Sequence, residues 1–173
     1  MIQPFPIILA SNSPRRKQLL EMIGINFDVQ PSSVYEDFNL NLSPEDFVQH
    51  YAREKSLDIA NKNHDHFVIG ADTVVVYNQK ILGKPKNIDD SFNMLKSLSG
   101  QTHSVYTGVS INKIDEGISE TFFEQTHVIF NKLTDEDISY YIETYKPLDK
   151  AGSYGIQDWF AVCVNRIEGC FYN

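Results

Sequence analysis

Apolar positions along the chain fall into short β-rich runs separated by segments of helical spacing. Strands are expected at Ile7 to Ser11, Phe27 to Gln30, Phe67 to Tyr77, Val105 to Ile114, His127 to Asn131 and Ala161 to Ile167. Helix-like stretches lie between several of these, so the pattern predicts a mixed α/β fold. No repeat, low-complexity tract or Gly/Ser/Pro-rich linker breaks the pattern, and a single domain over residues 1–173 is expected.

Four helix starts invite comparison. Ser43-Pro44-Glu45-Asp46 offers a cap, a first-turn proline and two acids at the positive end of the helix dipole. A helix from about Ile88 to Ser99 has Asp89 and Asp90 early and Gly100 as its stop. Thr134-Asp135-Glu136-Asp137 is a variant of the capping box, followed by an apolar stripe of Ile138, Tyr141, Ile142 and Tyr145. The first helix departs from this rule. Ser13-Pro14 is followed by Arg15, Arg16 and Lys17, with Leu19, Leu20 and Ile23 as the apolar face and Gly24 as the stop. A cation at that end costs about 0.3–1 kcal/mol unless an anion reverses the sign. Helix amides and two guanidinium forks together make a strong phosphate site, against the plainer reading of three solvated cations.

Composition narrows the class. Lys plus Arg is 15 and Asp plus Glu is 23, a formal charge of −8. That balance argues against a broad nucleic-acid or anionic-membrane surface. No apolar run approaches a membrane span, and the N-terminal cations follow the apolar run where a signal peptide needs them before it. A cytoplasmic location is expected. Cys163 and Cys170 lack metal-ligand spacing and read as plain strand or core residues.

Several residues could carry chemistry. Asp72 sits inside the nearly continuous apolar run Phe67 to Val76, where a carboxylate is expensive unless paired, hydrogen-bonded or metal-bound. A bulge bonded to nearby amides, a metal ligand and a general base are all open readings. Gly70 and Ala71 leave room for a ligand or another backbone. Lys84 in Gly83-Lys84-Pro85 is held extended by the proline. Lys55 lies on the second predicted helix, and Glu36 opens a loop with Asp37. Gln157 ends a polar, glycine-containing loop from Lys146 and has the paired donor and acceptor that read a base edge. Walker, GxGxxG, GxSxG and HExxH motifs are absent.

Six segments in order resemble the Maf family of nucleoside triphosphate pyrophosphatases. They are Ala10 to Arg16, Ala52 to Ser56, Gly70 to Val75, Leu82 to Pro85, Met94 to Val109 and Pro147 to Gln157. The resemblance implies an elongated mixed-sheet fold related to inosine-triphosphate pyrophosphatases, with a deep cleft between two lobes. It implies hydrolysis of a nucleoside triphosphate to the monophosphate and pyrophosphate with a divalent cation, Mg²⁺ or Mn²⁺. Ser11, Arg15, Arg16, Lys55 and Lys84 would line the phosphate end. Asp72 would be the catalytic carboxylate and metal ligand, with Glu36 as a nearby acid and second ligand. Gly155 to Gln157 resembles the subgroup acting on dTTP and UTP, with Arg16, Thr73 and Gln157 tied to that choice. The family is associated with arrest of septum formation, which leaves a non-catalytic nucleotide-binding regulator as one alternative. The 7-methyl-GTP subgroup is another. A homodimer is compatible with the resemblance. Family members usually continue past the Gly169 to Tyr172 region, so a C-terminal segment is expected to be lacking.

Overall fold

A computed structural model describes residues 5–173. Its strands are β1 (Ile7–Leu9), β2 (Asp28–Val29), β3 (Phe67–Tyr77), β4 (Lys80–Leu82), β5 (Thr102–Lys113), β6 (Ile118–Phe130) and β7 (Val164–Glu168). Its α-helices are α1 (Pro14–Met22), α2 (Pro44–Ala60), α3 (Ile88–Leu98) and α4 (Asp135–Tyr145). The seven strands form a mixed sheet of order β2-β1-β3-β5-β6-β7, with β4 paired to β3. β1 runs parallel to both β2 and β3, with Ile8 beside Val68. β4 and β7 are antiparallel to β3 and β6. The α/β expectation holds.

The described residues group into two compact units, neither contiguous in sequence. The first takes the chain up to Asp72, Thr107–Phe123 and Tyr172; the second takes Thr73–Tyr106, Glu124–Phe171 and Asn173. β3, β5 and β6 each pass from one unit to the other.

In the first unit the core gathers Ile8, Ala10, Ile59, Ala60 and Val68. α2 lies directly on the strands because two positions lack a Cβ. A Cβ on Gly70 would overlap the Ala52 carbonyl oxygen, and one on Gly108 would overlap that of Val48. The room at Gly70 is therefore taken by another backbone rather than by a ligand. In the second unit a larger core joins Leu95, Leu98, Val128, Phe130, Ile138, Tyr141, Ile142, Tyr154 and Phe160. Trp159 packs against its edge.

Local signals place the helices well. Ser43 accepts a hydrogen bond from the Asp46 amide at 3.1 Å. Asn87, not anticipated as a cap, accepts from the Asp90 amide at 2.8 Å. Thr134 and Asp137 form the reciprocal capping box. The apolar face expected for α1 is not buried: no residue of that helix is, and Ile23 beyond its end is 64% exposed. The strands also differ from expectation. β6 begins at Ile118, β4 was not anticipated, and Trp159–Cys163 is a 3₁₀ turn. Asp158 starts that turn by accepting from the Phe160 amide at 3.0 Å. Cys163 is buried, but Cys170 is exposed and outside any strand. Among the described residues no helix is long and apolar enough to cross a membrane.

Candidate active site

The first unit brings several of the singled-out residues together. Asp72, at the middle of β3, is 3% exposed. Its Oδ1 accepts from Lys55 Nζ at 2.6 Å. The same ammonium donates to Glu36 Oε1 at 2.5 Å. Lys55 is thus shared by two carboxylates, one from β3 and one from the loop before α2. The bulge-and-amide reading of Asp72 does not describe this arrangement. Asp72 Oδ2 is buried with no hydrogen-bond partner among the described residues. A buried carboxylate oxygen left unmatched costs about 1–3 kcal/mol or more, and such groups mark ligand sites or strain.

The first turn of α1 faces the same carboxylates in part. Arg16 Nη1 donates to Ser11 Oγ at 3.0 Å, and the Ser13 amide donates to that oxygen at 3.2 Å. Partial burial lowers the Arg16 pKa from its ordinary value, with Asp72 and Glu36 opposing and Arg15 reinforcing the shift. Arg16 stays charged, since a guanidinium does not lose its proton in proteins. Arg15 is half-buried. Lys17 behaves as the plainer reading expected: it is exposed and faces Glu21 at 3.7 Å, one helical turn on. Burial pushes the Asp72 carboxyl above its usual range, opposed by Lys55 and Arg16 and reinforced by Glu36.

The second unit holds the other three positions. Thr73 follows Asp72 in β3 and is half-buried. Lys84 is exposed in the turn after β4. Gln157 is exposed in the loop after α4. The segments carrying Lys84 and Gln157 are joined through backbone, the Gly152 amide donating to the Gly83 carbonyl at 3.1 Å. Gly152 has φ +65°, and a Cβ there would crowd Val75. Tyr141 anchors the end of the loop, accepting from the Gly155 amide and donating to Asp158 Oδ2, both at 3.1 Å.

A family model described as Maf-like protein matches residues 6–173. The chain belongs to the Maf family. A dTTP/UTP pyrophosphatase of Bacillus cereus (strain G9842) is 49% identical over 96% of this chain and 86% of its own. One from Bacillus anthracis is 48% identical over the same shares. Among solved structures, the Staphylococcus aureus Ham1 protein aligns with 72% of this chain and 71% of its own, at 17% identity and a TM-score of 0.49. That superposition is too loose to carry weight.

Within this Maf-family chain, sequence reasoning passed over Tyr51 and Asp158 and read Tyr141 only as part of an apolar stripe, whereas all three hold loops. Tyr51 had a usable signal: it lies four residues before Lys55 on one helix, and so on the same face.

Proposed function

We propose that the chain is a nucleoside triphosphate pyrophosphatase acting in the cytoplasm on dTTP and UTP. The observation that carries the reading is the buried Asp72, paired through Lys55 to Glu36 and keeping one carboxylate oxygen unmatched. The relatives named dTTP/UTP pyrophosphatases support the substrate class.

Water attacks the α-phosphorus. A bond forms from water oxygen to phosphorus, the bond to the α–β bridging oxygen breaks, and pyrophosphate leaves. Asp72 takes the proton from the attacking water. A carboxyl whose pKa is raised by burial is a stronger base once ionised. Lys55 favours the ionised form of Asp72 and aims the carboxylate, while Glu36 shares its charge. From the first unit, Ser11, Arg15 and Arg16 would take the phosphate oxygens and the charge that grows on pyrophosphate, and the family resemblance gives Lys84 a phosphate role. The family resemblance ties the choice of base to Arg16, Thr73 and Gln157.

The residues present fit a divalent cation. No group of three or more metal-binding side chains occurs among the described residues. Mg²⁺, however, usually takes one or two carboxylates and fills its shell with water and substrate phosphates. Asp72, through its unmatched oxygen, and Glu36 would supply those carboxylates. A cation there would withdraw charge from the phosphate oxygens and offset the repulsion between two acids and a triphosphate.

The deciding assay follows monophosphate and pyrophosphate release from dTTP, UTP, dCTP, dATP, GTP and 7-methyl-GTP, with Mg²⁺ or Mn²⁺. The proposal expects dTTP and UTP to lead by about tenfold or more in kcat/KM. Saturable binding without turnover would favour the regulator of septum formation. Preference for 7-methyl-GTP would move the chain to the other subgroup.

A further inference from the structure

Three consecutive loop residues are fastened to three consecutive turns of one helix. Phe47, Tyr51 and Lys55 are spaced by four in α2, so they form a stripe on one face. The loop before the helix runs along that stripe in the opposite direction. Glu36 is held by Lys55 Nζ at 2.5 Å. The Asp37 amide donates to the Tyr51 hydroxyl oxygen at 2.6 Å, and that hydroxyl faces the Asp37 carbonyl at 3.3 Å. The Phe38 ring stacks on Phe47 with centroids 5.1 Å apart. Asp37 also closes its own turn, its Oδ1 accepting from the Asn39 amide at 2.9 Å.

We infer that Tyr51 and Phe38 are positioning residues whose task is to hold Glu36 beside Asp72. This rests on the reading of Glu36 and Asp72 as the acid pair of the reaction. A loop carboxylate has no fixed place of its own. The Lys55 ammonium does not by itself fix its place, because Lys55 can also satisfy its charge on Asp72. The Tyr51 hydroxyl removes that freedom one residue away, by gripping the backbone on both sides of the Asp37 α-carbon. Tyr51 is buried and packs against Phe47 at 4.8 Å, so the grip is rigid. The helix thereby sets the position of an acid that lies outside it.

The test combines amide exchange with a double-mutant cycle in the full chain. In Tyr51→Phe the ring stays and the hydroxyl goes. Exchange at the Asp37 amide should then speed up about fivefold or more, the loss of one hydrogen bond. With dTTP, kcat should fall about fivefold while KM changes little. Phe38→Ala, at a half-exposed ring that does not endanger folding, should lower kcat in the same sense. In a Glu36→Gln background neither change should lower kcat further, because each acts through that carboxylate. A full additional loss in that background, or an unchanged Asp37 amide in Tyr51→Phe, would overturn the inference. Wild-type protein that fails to hydrolyse dTTP would instead overturn the underlying reading, and the exchange result would still report on the clamp.

Discussion

Helices α1 and α4 begin alike and are built to opposite ends. Each starts from a hydroxyl residue, Ser13 or Thr134, in extended conformation. In α4 the hydroxyl caps the helix, three acids occupy the first turn, and Ile138, Tyr141 and Ile142 are buried. In α1 the Ser13 side chain makes no cap bond, no acid lies in the first turn, and no residue is buried. Every local term that stabilises α4 is missing from α1. The compensation is outside the helix: Arg16 reaches Ser11 and sits in the field of Asp72 and Glu36. A helix start that opposes its own dipole serves groups beyond itself, and one that obeys it serves the fold.

The sharpest break in that contrast is at Asp72. Asp72→Asn should lower kcat by about a thousandfold, within the usual range for losing a catalytic base. Stability should change little, because Glu36 still pairs with Lys55. The raised pKa gives the sign of the pH effect. Ionising a carboxyl above its usual range works against the folded state, so this contribution to stability is present at low pH and lost as pH rises through the folded value. In rate measurements the acid limb of kcat/KM should lie above the ordinary carboxylate value of 3.8 and disappear in Asp72→Asn.

Arg16→Glu comes next. It should abolish most dTTP turnover, by about a hundredfold or more, since it removes a charged donor and adds repulsion. The melting temperature should fall far less than turnover, because an acid suits the first turn and offsets part of the attraction lost to Asp72 and Glu36. A large loss of stability with intact turnover would make α1 an ordinary structural helix.

His103 tests the opposite case, a buried group that avoids charge. It is hydrogen-bonded to Tyr154 at 2.8 Å, and burial pulls its pKa down from 6.5 to about 4. The unfolded chain binds the proton first, so stability should be full above pH 6.5 and fall as pH drops toward about 4. Chemical denaturation across that window should show the slope, and His103→Phe should flatten it. The smallest effect is at the α4 cap: Thr134→Ala should cost about 1 kcal/mol of stability and leave kcat unchanged.

How far the sequence reached depends on the range of the interaction. β3 is legible to the residue, because its run from Phe67 to Tyr77 is apolar at nearly every position. The starts of α2 and α4 are legible because their caps span three residues. The first half of β6 was not legible: its side chains are mostly exposed, Phe122 and Phe123 among them, so no burial pattern marks it. Ser11, Arg16, Glu36, Lys55 and Asp72 were each named from local oddities or resemblance. Their meeting was implied only by the resemblance and by no local spacing, since Lys55 reaches partners 17 and 19 residues away. Tyr51 shared the helix face of Lys55, but its grip on a loop backbone 14 residues back was not legible.

By itself, then, the sequence determined the α/β class, the capped helices, the anomalous cations of α1 and an acid stranded in an apolar strand. These follow from contacts within a few residues, where spacing and residue type suffice. Only the tertiary structure decided that one lysine serves two carboxylates, that one cation of three faces solvent with its i+4 acid, and that α2 holds Glu36 in place. Those outcomes depend on desolvation and on distances between remote segments, and both exist only once the chain has packed.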